Sequence, residues 1–124
     1  MLLPLIPARL HAFLDDLVVF AYLFGAWLFG LEGTAAIIAA SGAALHFVLT
    51  RLTSYPAGPL KPLPFRIHAF VELGEGVAVL LATFTLLGAH PAPVRAFLAF
   101  MGASQFGAFA FSDYRAPARQ GVSH

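Results

Sequence analysis

The chain has 124 residues, of which 60% are hydrophobic and 10% charged, and its mean hydropathy is +0.83. Soluble domains are about 45–50% apolar and about 25% charged, and so short a chain has too little interior to hide the excess, so disorder and a water-soluble globule give way to a bilayer environment. Cysteine is absent, which removes disulfides, thiolate metal sites and thiol catalysis; the net charge of +1 gives no footprint for nucleic acid.

A transmembrane helix needs about 20 predominantly apolar residues. Four windows meet that need: about Ala12–Leu31, Thr34–Leu52, Ile67–Gly88 and Pro93–Ser112. The prolines fall before, between and after them, where a helix tolerates proline. Thr34 is placed to cap the second helix after a Glu32-Gly33 turn. The expected architecture is all-α and integral to the membrane, one domain over 1–124, with short loops forcing antiparallel hairpins. Residues Tyr55 to Pro64 form a stiff proline-rich connector along the membrane surface.

Four spans put both termini on one side. That side carries Arg9, Arg51, Lys61, Arg66, Arg115 and Arg119, and the other side carries Arg95. The positive-inside rule then makes both termini cytoplasmic. Glu32 and His90 face the opposite side. The start of the chain lacks the basic n-region and cleavage site of a signal peptide.

The chain reads as a tandem duplication. Pro7, Arg9, His11, Ala12, Phe13 and Asp15 recur as Pro64, Arg66, His68, Ala69, Phe70 and Glu72 at a constant offset of 57. Leu52, Thr53, Ser54 and Tyr55 resemble Phe111, Ser112, Asp113 and Tyr114 at an offset of 59, which aligns His46 with Gln105. The boundaries are about 7–55 for the first repeat, 56–63 for the linker, 64–115 for the second repeat and 116–124 for a tail. Two hairpins entering from the same side are parallel repeats, related by a pseudo-two-fold axis along the membrane normal.

The Pro-x-Arg-x-His-x-x-x-acid start and Thr/Ser-x-Tyr end of each hairpin resemble the SPW-repeat family of small bacterial membrane proteins. The positions of that family's Ser-Pro-Trp signature read Gly25, Ala26, Trp27 and Ala82, Thr83, Phe84 here, so one tryptophan is retained. The resemblance implies four helices as two tandem hairpins in a bacterial inner membrane, and it implies no activity.

Charged and imidazole side chains within the apolar spans are the candidate functional residues. His11 and Asp15 lie one turn apart on one helix face, His68 and Glu72 repeat them, and Glu75 continues the second face. Asp16 sits about a quarter-turn from Asp15. Groups of this kind are costly in hydrocarbon and face a bundle interior or a wet cavity.

The leading reading is a structural or interaction module. In it Arg9 and Arg66 fold back on the acids, the histidines donate to them, and an ion-pair network fixes the bundle. One alternative makes His11, Asp15, His68 and Glu72 the ligands of zinc, iron or manganese, or His11 and His68 the axial ligands of a haem. Another makes Asp15, Asp16, Glu72 and Glu75 a vestibule for proton or solute movement, with His46 and Gln105 as a deeper polar pair. No cofactor is required by the leading reading. No serine sits in a nucleophile turn and no glycine loop cradles phosphate, so the reading leans against catalysis. The bilayer is the expected partner. Small-residue faces at Ala35, Ala39, Ala43, at Ala36, Ala40, Ala44 and at Ala103, Gly107 allow close packing within the bundle or between copies.

Overall fold

Prolines set where the helices begin. Pro7, Pro64 and Pro91 stand at the N-cap positions of three helices, where a fixed φ fits and the missing N–H costs nothing. In the computed structural model, which describes residues 4–56 and 58–115, the elements are α1 (Ala8–Leu28), α2 (Gly33–Leu52), β1 (Thr53–Ser54), β2 (Leu63–Pro64), α3 (Phe65–Leu86) and α4 (Ala92–Phe111). Arg119 and the 116–124 tail lie outside the described residues. All four helices are long and apolar enough to cross a membrane. Their outward faces are strongly apolar: Trp27 is 75% and Phe84 77% exposed, with Phe20, Ile37, Leu81 and Phe100 also well exposed. A water-facing surface rarely carries so continuous an apolar patch.

Helix α1 ends in a Schellman motif. Gly30 takes φ +60°, Leu31 N–H bonds to the Ala26 carbonyl at 2.9 Å, and Gly30 N–H bonds to that of Trp27 at 3.2 Å. The chain then turns tightly into α2. Glu32 holds the extended cap position of α2 without a side-chain cap bond, so Thr34 lies inside the helix rather than at its cap as the sequence suggested.

Helix α1 packs chiefly on α2, and α3 on α4; α2 with α3 and α1 with α4 close the ring. The two outer turns, Phe29–Thr34 and His90–Val94, line one shallow cavity at the end opposite the strands. At the strand end each hairpin finishes beside the start of the other. Thr53 and Ser54 pair in parallel with Leu63 and Pro64, and Ser112 pairs in parallel with Ile6.

Tyr22, Ala35, Ala39, Ala43, Val79, Leu87, Val94, Leu98 and Met101 form the apolar core. Of the small-residue faces, the Ala35, Ala39, Ala43 stripe is the buried one, while Ala40, Ala44 and Ala103 face outward. Helices α3 and α4 approach closely at Gly76 and Gly102. A Cβ on Gly76 would lie 2.9 Å from the Gly102 carbonyl oxygen, and one on Gly102 would lie 2.8 Å from that of Gly76. Backbone cannot yield as a side-chain tip can. Gly76→Ala is therefore expected to destabilise the bundle by about 1–3 kcal/mol, read as a lower midpoint of denaturant unfolding in detergent. Gly74→Ala, with open space around it, should not lower that midpoint.

Candidate functional site

Asp15 on α1 and Glu72 on α3 point into the interior, where each is 1% exposed. An isolated buried carboxylate is costly, so positive charge or several donors must face it. Each has a histidine one turn earlier on its own helix face. His11 Nε2 lies 3.3 Å from Asp15 Oδ1 and 3.2 Å from Glu72 Oε2. His68 Nε2 lies 3.3 Å from Asp15 Oδ2 and 3.4 Å from Glu72 Oε2. One donor atom from each of the four residues lies within 4.8 Å of all the others.

Helix α2 supplies a third imidazole. His46 Nε2 is 3.0 Å from Asp15 Oδ1 and 3.8 Å from Glu72 Oε2, while its Nδ1 is 3.0 Å from Glu75 Oε2. The sequence reading set His46 and Gln105 deeper than the acid cluster. They are level with it, because His46 lies about 9 Å from the end of α2 and Asp15 about 10 Å from the start of α1, at 1.5 Å per residue. Gln105 stands behind His46: its Nε2 is 3.5 Å from His46 Nδ1, and its Oε1 accepts the Tyr22 hydroxyl at 2.5 Å. Gly42 makes room for that tyrosine, since a Cβ there would meet the ring at 2.8 Å.

The other histidine nitrogens are tied outward. His11 Nδ1 is 2.6 Å from Ser112 Oγ, and His68 Nδ1 is 2.7 Å from Thr53 Oγ1. Thr53 and Ser112 are 59 residues apart, and His11 and His68 are 57 apart. Thr53 Oγ1 donates to the Leu49 carbonyl at 2.6 Å, so it must accept from His68 Nδ1–H. In neutral His68 the Nε2 is then a bare lone pair aimed at two carboxylates. It makes no hydrogen bond, and neither does Glu72 Oε1 or Glu75 Oε1, although all three atoms are buried. Lone pairs facing carboxylate oxygens require a cation or a proton between them.

The arginines are not part of this cluster. Arg9 and Arg66 are exposed, and neither makes an ion pair among the described residues. They sit at the first turns of α1 and α3, with the cluster lying inward of them. Asp16 is also excluded: it is exposed and pairs with Arg51. The charge partners of the acids are histidines.

Tyr55, which the sequence places at the start of the proline-rich connector, touches the cluster. Its hydroxyl bonds Asp15 Oδ2 at 2.5 Å, and its ring packs on Phe65 and His68. Burial pushes the Tyr55 hydroxyl above its usual range, and the Asp15 charge adds to the shift, so the phenol keeps its proton and is the donor. Thr53, Ser112, Tyr55 and Tyr22 were missed as site residues. The recurrence of Thr53 and Tyr55 as Ser112 and Tyr114 was the available signal for three of them. Nothing in the sequence pointed to Tyr22.

Comparison of the chain with protein-family models, with curated proteins and with solved structures gives no match.

Thr53→Val leaves the His68 Nδ1–H buried without an acceptor. The expected loss is about 1–3 kcal/mol, measured by denaturant unfolding in detergent. Asp16→Asn, on the exposed face, should change stability by less than about 0.5 kcal/mol.

Proposed function

We propose that this chain is a bacterial inner-membrane protein that holds one transition-metal ion in a resident centre, with His11, Asp15, His68 and Glu72 as ligands and His46 as a fifth donor. The observation that carries the reading is the spacing of the donors. Ligands about 2.0–2.2 Å from a tetrahedral ion stand about 3.3–3.6 Å apart. The four histidine-to-carboxylate separations among these residues are 3.2–3.4 Å, with His11 and His68 on different oxygens of Asp15, and one donor atom from each of the four residues lies within 4.8 Å of all the others, so an ion would draw the widest of them together. Two neutral imidazoles and two carboxylates match a divalent charge. Hydroxyl partners on His11 and His68 and a carboxylate on His46 are the outer contacts that orient histidine ligands. A donor set of nitrogen and oxygen suits zinc, iron or manganese. When bound, such an ion supplies the positive charge that two buried carboxylates require.

The reading includes the membrane setting. The helix lengths, the exposed apolar faces and the basic residues at the strand end support two tandem hairpins with that end cytoplasmic. The equivalent pairings of Thr53 with Leu63 and of Ser112 with Ile6, and of His68 with Thr53 and His11 with Ser112, support the pseudo-two-fold arrangement.

One feature favours a second reading, an ion-pair network without metal. His46 has a carboxylate at each nitrogen, and three histidines face three acids, Asp15, Glu72 and Glu75. Three imidazolium groups would balance that charge.

Elemental analysis of detergent-purified protein decides between them. About one zinc, iron or manganese atom per chain is expected. It should be lost in the His11→Gln/His68→Gln double variant and kept in Arg9→Gln/Arg66→Gln. Folded wild-type protein that takes up none of these metals would leave the ion-pair network. Sidedness is checked with single cysteines, since the chain has none of its own. Lys61→Cys should react with an impermeant reagent from the cytoplasmic side, and Glu32→Cys from the opposite side.

A further inference from the structure

The ligand side chains offer an ion no open path. His11, Asp15 and Glu72 are each 1% exposed, and His46 and His68 are 0% exposed. On the far side the core of Tyr22, Leu98 and Met101 closes the bundle. An ion must therefore pass residues at the strand end.

The side chains that touch the cluster there are unequal. Thr53, Ser112, Phe65 and Tyr114 are buried. Tyr55 is half-buried: it bonds one ligand and packs on another while part of it reaches the surface. Its hydroxyl holds Asp15 Oδ2, the oxygen that faces His68 Nε2. Its backbone lies outside the helices, after β1, where the Tyr55 carbonyl accepts the Gly58 N–H at 3.0 Å in a proline-flanked turn.

Tyr114 holds the matching position at offset 59 and is built differently. It is 4% exposed, and its ring packs on Phe65 at 4.8 Å and on His11 at 5.6 Å, as Tyr55 packs on His68. Its hydroxyl, however, bonds the Ala108 backbone carbonyl at 3.4 Å, where that of Tyr55 bonds a carboxylate.

The geometry points to Tyr55 as the gate of the centre: a metal ion enters and leaves past its ring, and its hydroxyl latches Asp15 in the ligand position. This rests on the metal reading above and adds a route and a residue that controls it. Swinging the ring outward frees Asp15 Oδ2 and uncovers His68 in one movement. The bond to Asp15 and the packing on Phe65 and His68 resist that movement.

The test is the rate of metal loss, with occupancy as a separate readout. Purified protein is loaded with Co(II), whose visible spectrum reports ligation, and release to excess EDTA is followed over time. Tyr55→Phe removes the latch and Tyr55→Ala removes latch and cover. Release is expected to be at least tenfold faster in Tyr55→Phe than in wild type and faster again in Tyr55→Ala, with Tyr114→Phe within twofold of wild type. Metal per chain at saturation should be unchanged in Tyr55→Phe. Wild-type rates in both Tyr55 variants would overturn the gate while leaving the metal centre standing. Equal acceleration in Tyr55→Phe and Tyr114→Phe would also overturn it, because loosening of the whole end would then be the cause. Wild-type protein that takes up no Co(II), zinc, iron or manganese would overturn the metal reading and the gate with it.

Discussion

Two carboxylates that cannot reach water govern the arrangement of this bundle. Asp15 and Glu72 come from helices on opposite corners of the ring and meet at its centre with 1% exposure each. Taking even one such charge out of water costs several kcal/mol unless it is compensated. Compensation fixes much else. It requires three imidazoles turned inward through Nε2, two of them tied through Nδ1 to the hydroxyls of Ser112 and Thr53 and the third to Glu75. It also fixes where the helices start and stop, because the hydroxyls that tie His11 and His68 lie just past the last turns of α4 and α2. The parallel pairs at the strand end hold those hydroxyls in place.

On the tandem-hairpin reading, the centre owes its composition to divergence between the halves. Each half contributes a histidine and an acid from its first helix. The second helices differ, with His46 in one and Gln105 in the other. A fourth imidazole would add a competing donor. The amide instead receives Tyr22 and backs His46. Glu75, whose matching residue is the apolar Val18, gives the second half an additional acid for the single His46. Two similar hairpins thus surround one asymmetric site.

How much of this was legible in the sequence follows from the kind of signal each part leaves. Long apolar runs punctuated by prolines marked four helices, because both length and proline placement act locally. The His11/Asp15 and His68/Glu72 pairs were legible because one-turn spacing places both residues on one face. Arg9 and Arg66 misled, since adjacency in sequence suggested pairing while the helix start holds them outside the cluster. His46 was misplaced in depth because its position was judged along its own span. Its level against Asp15 depends on how two antiparallel helices are set beside each other. Tyr55 and Thr53 bond across helices, and no periodicity within one element records such contacts.

The close backbone-to-backbone approach at Gly76 and Gly102 joins α3 to α4 within one hairpin. The central charges are held differently. His11, Asp15 and His46 belong to α1 and α2, while His68 and Glu72 belong to α3. Whatever cation lies among them is owned jointly by the two hairpins. The balance of charge at the centre therefore bears on the seam between the hairpins, where packing is sparser than within either of them, and the same few side chains that answer the buried acids also tie one half of the bundle to the other.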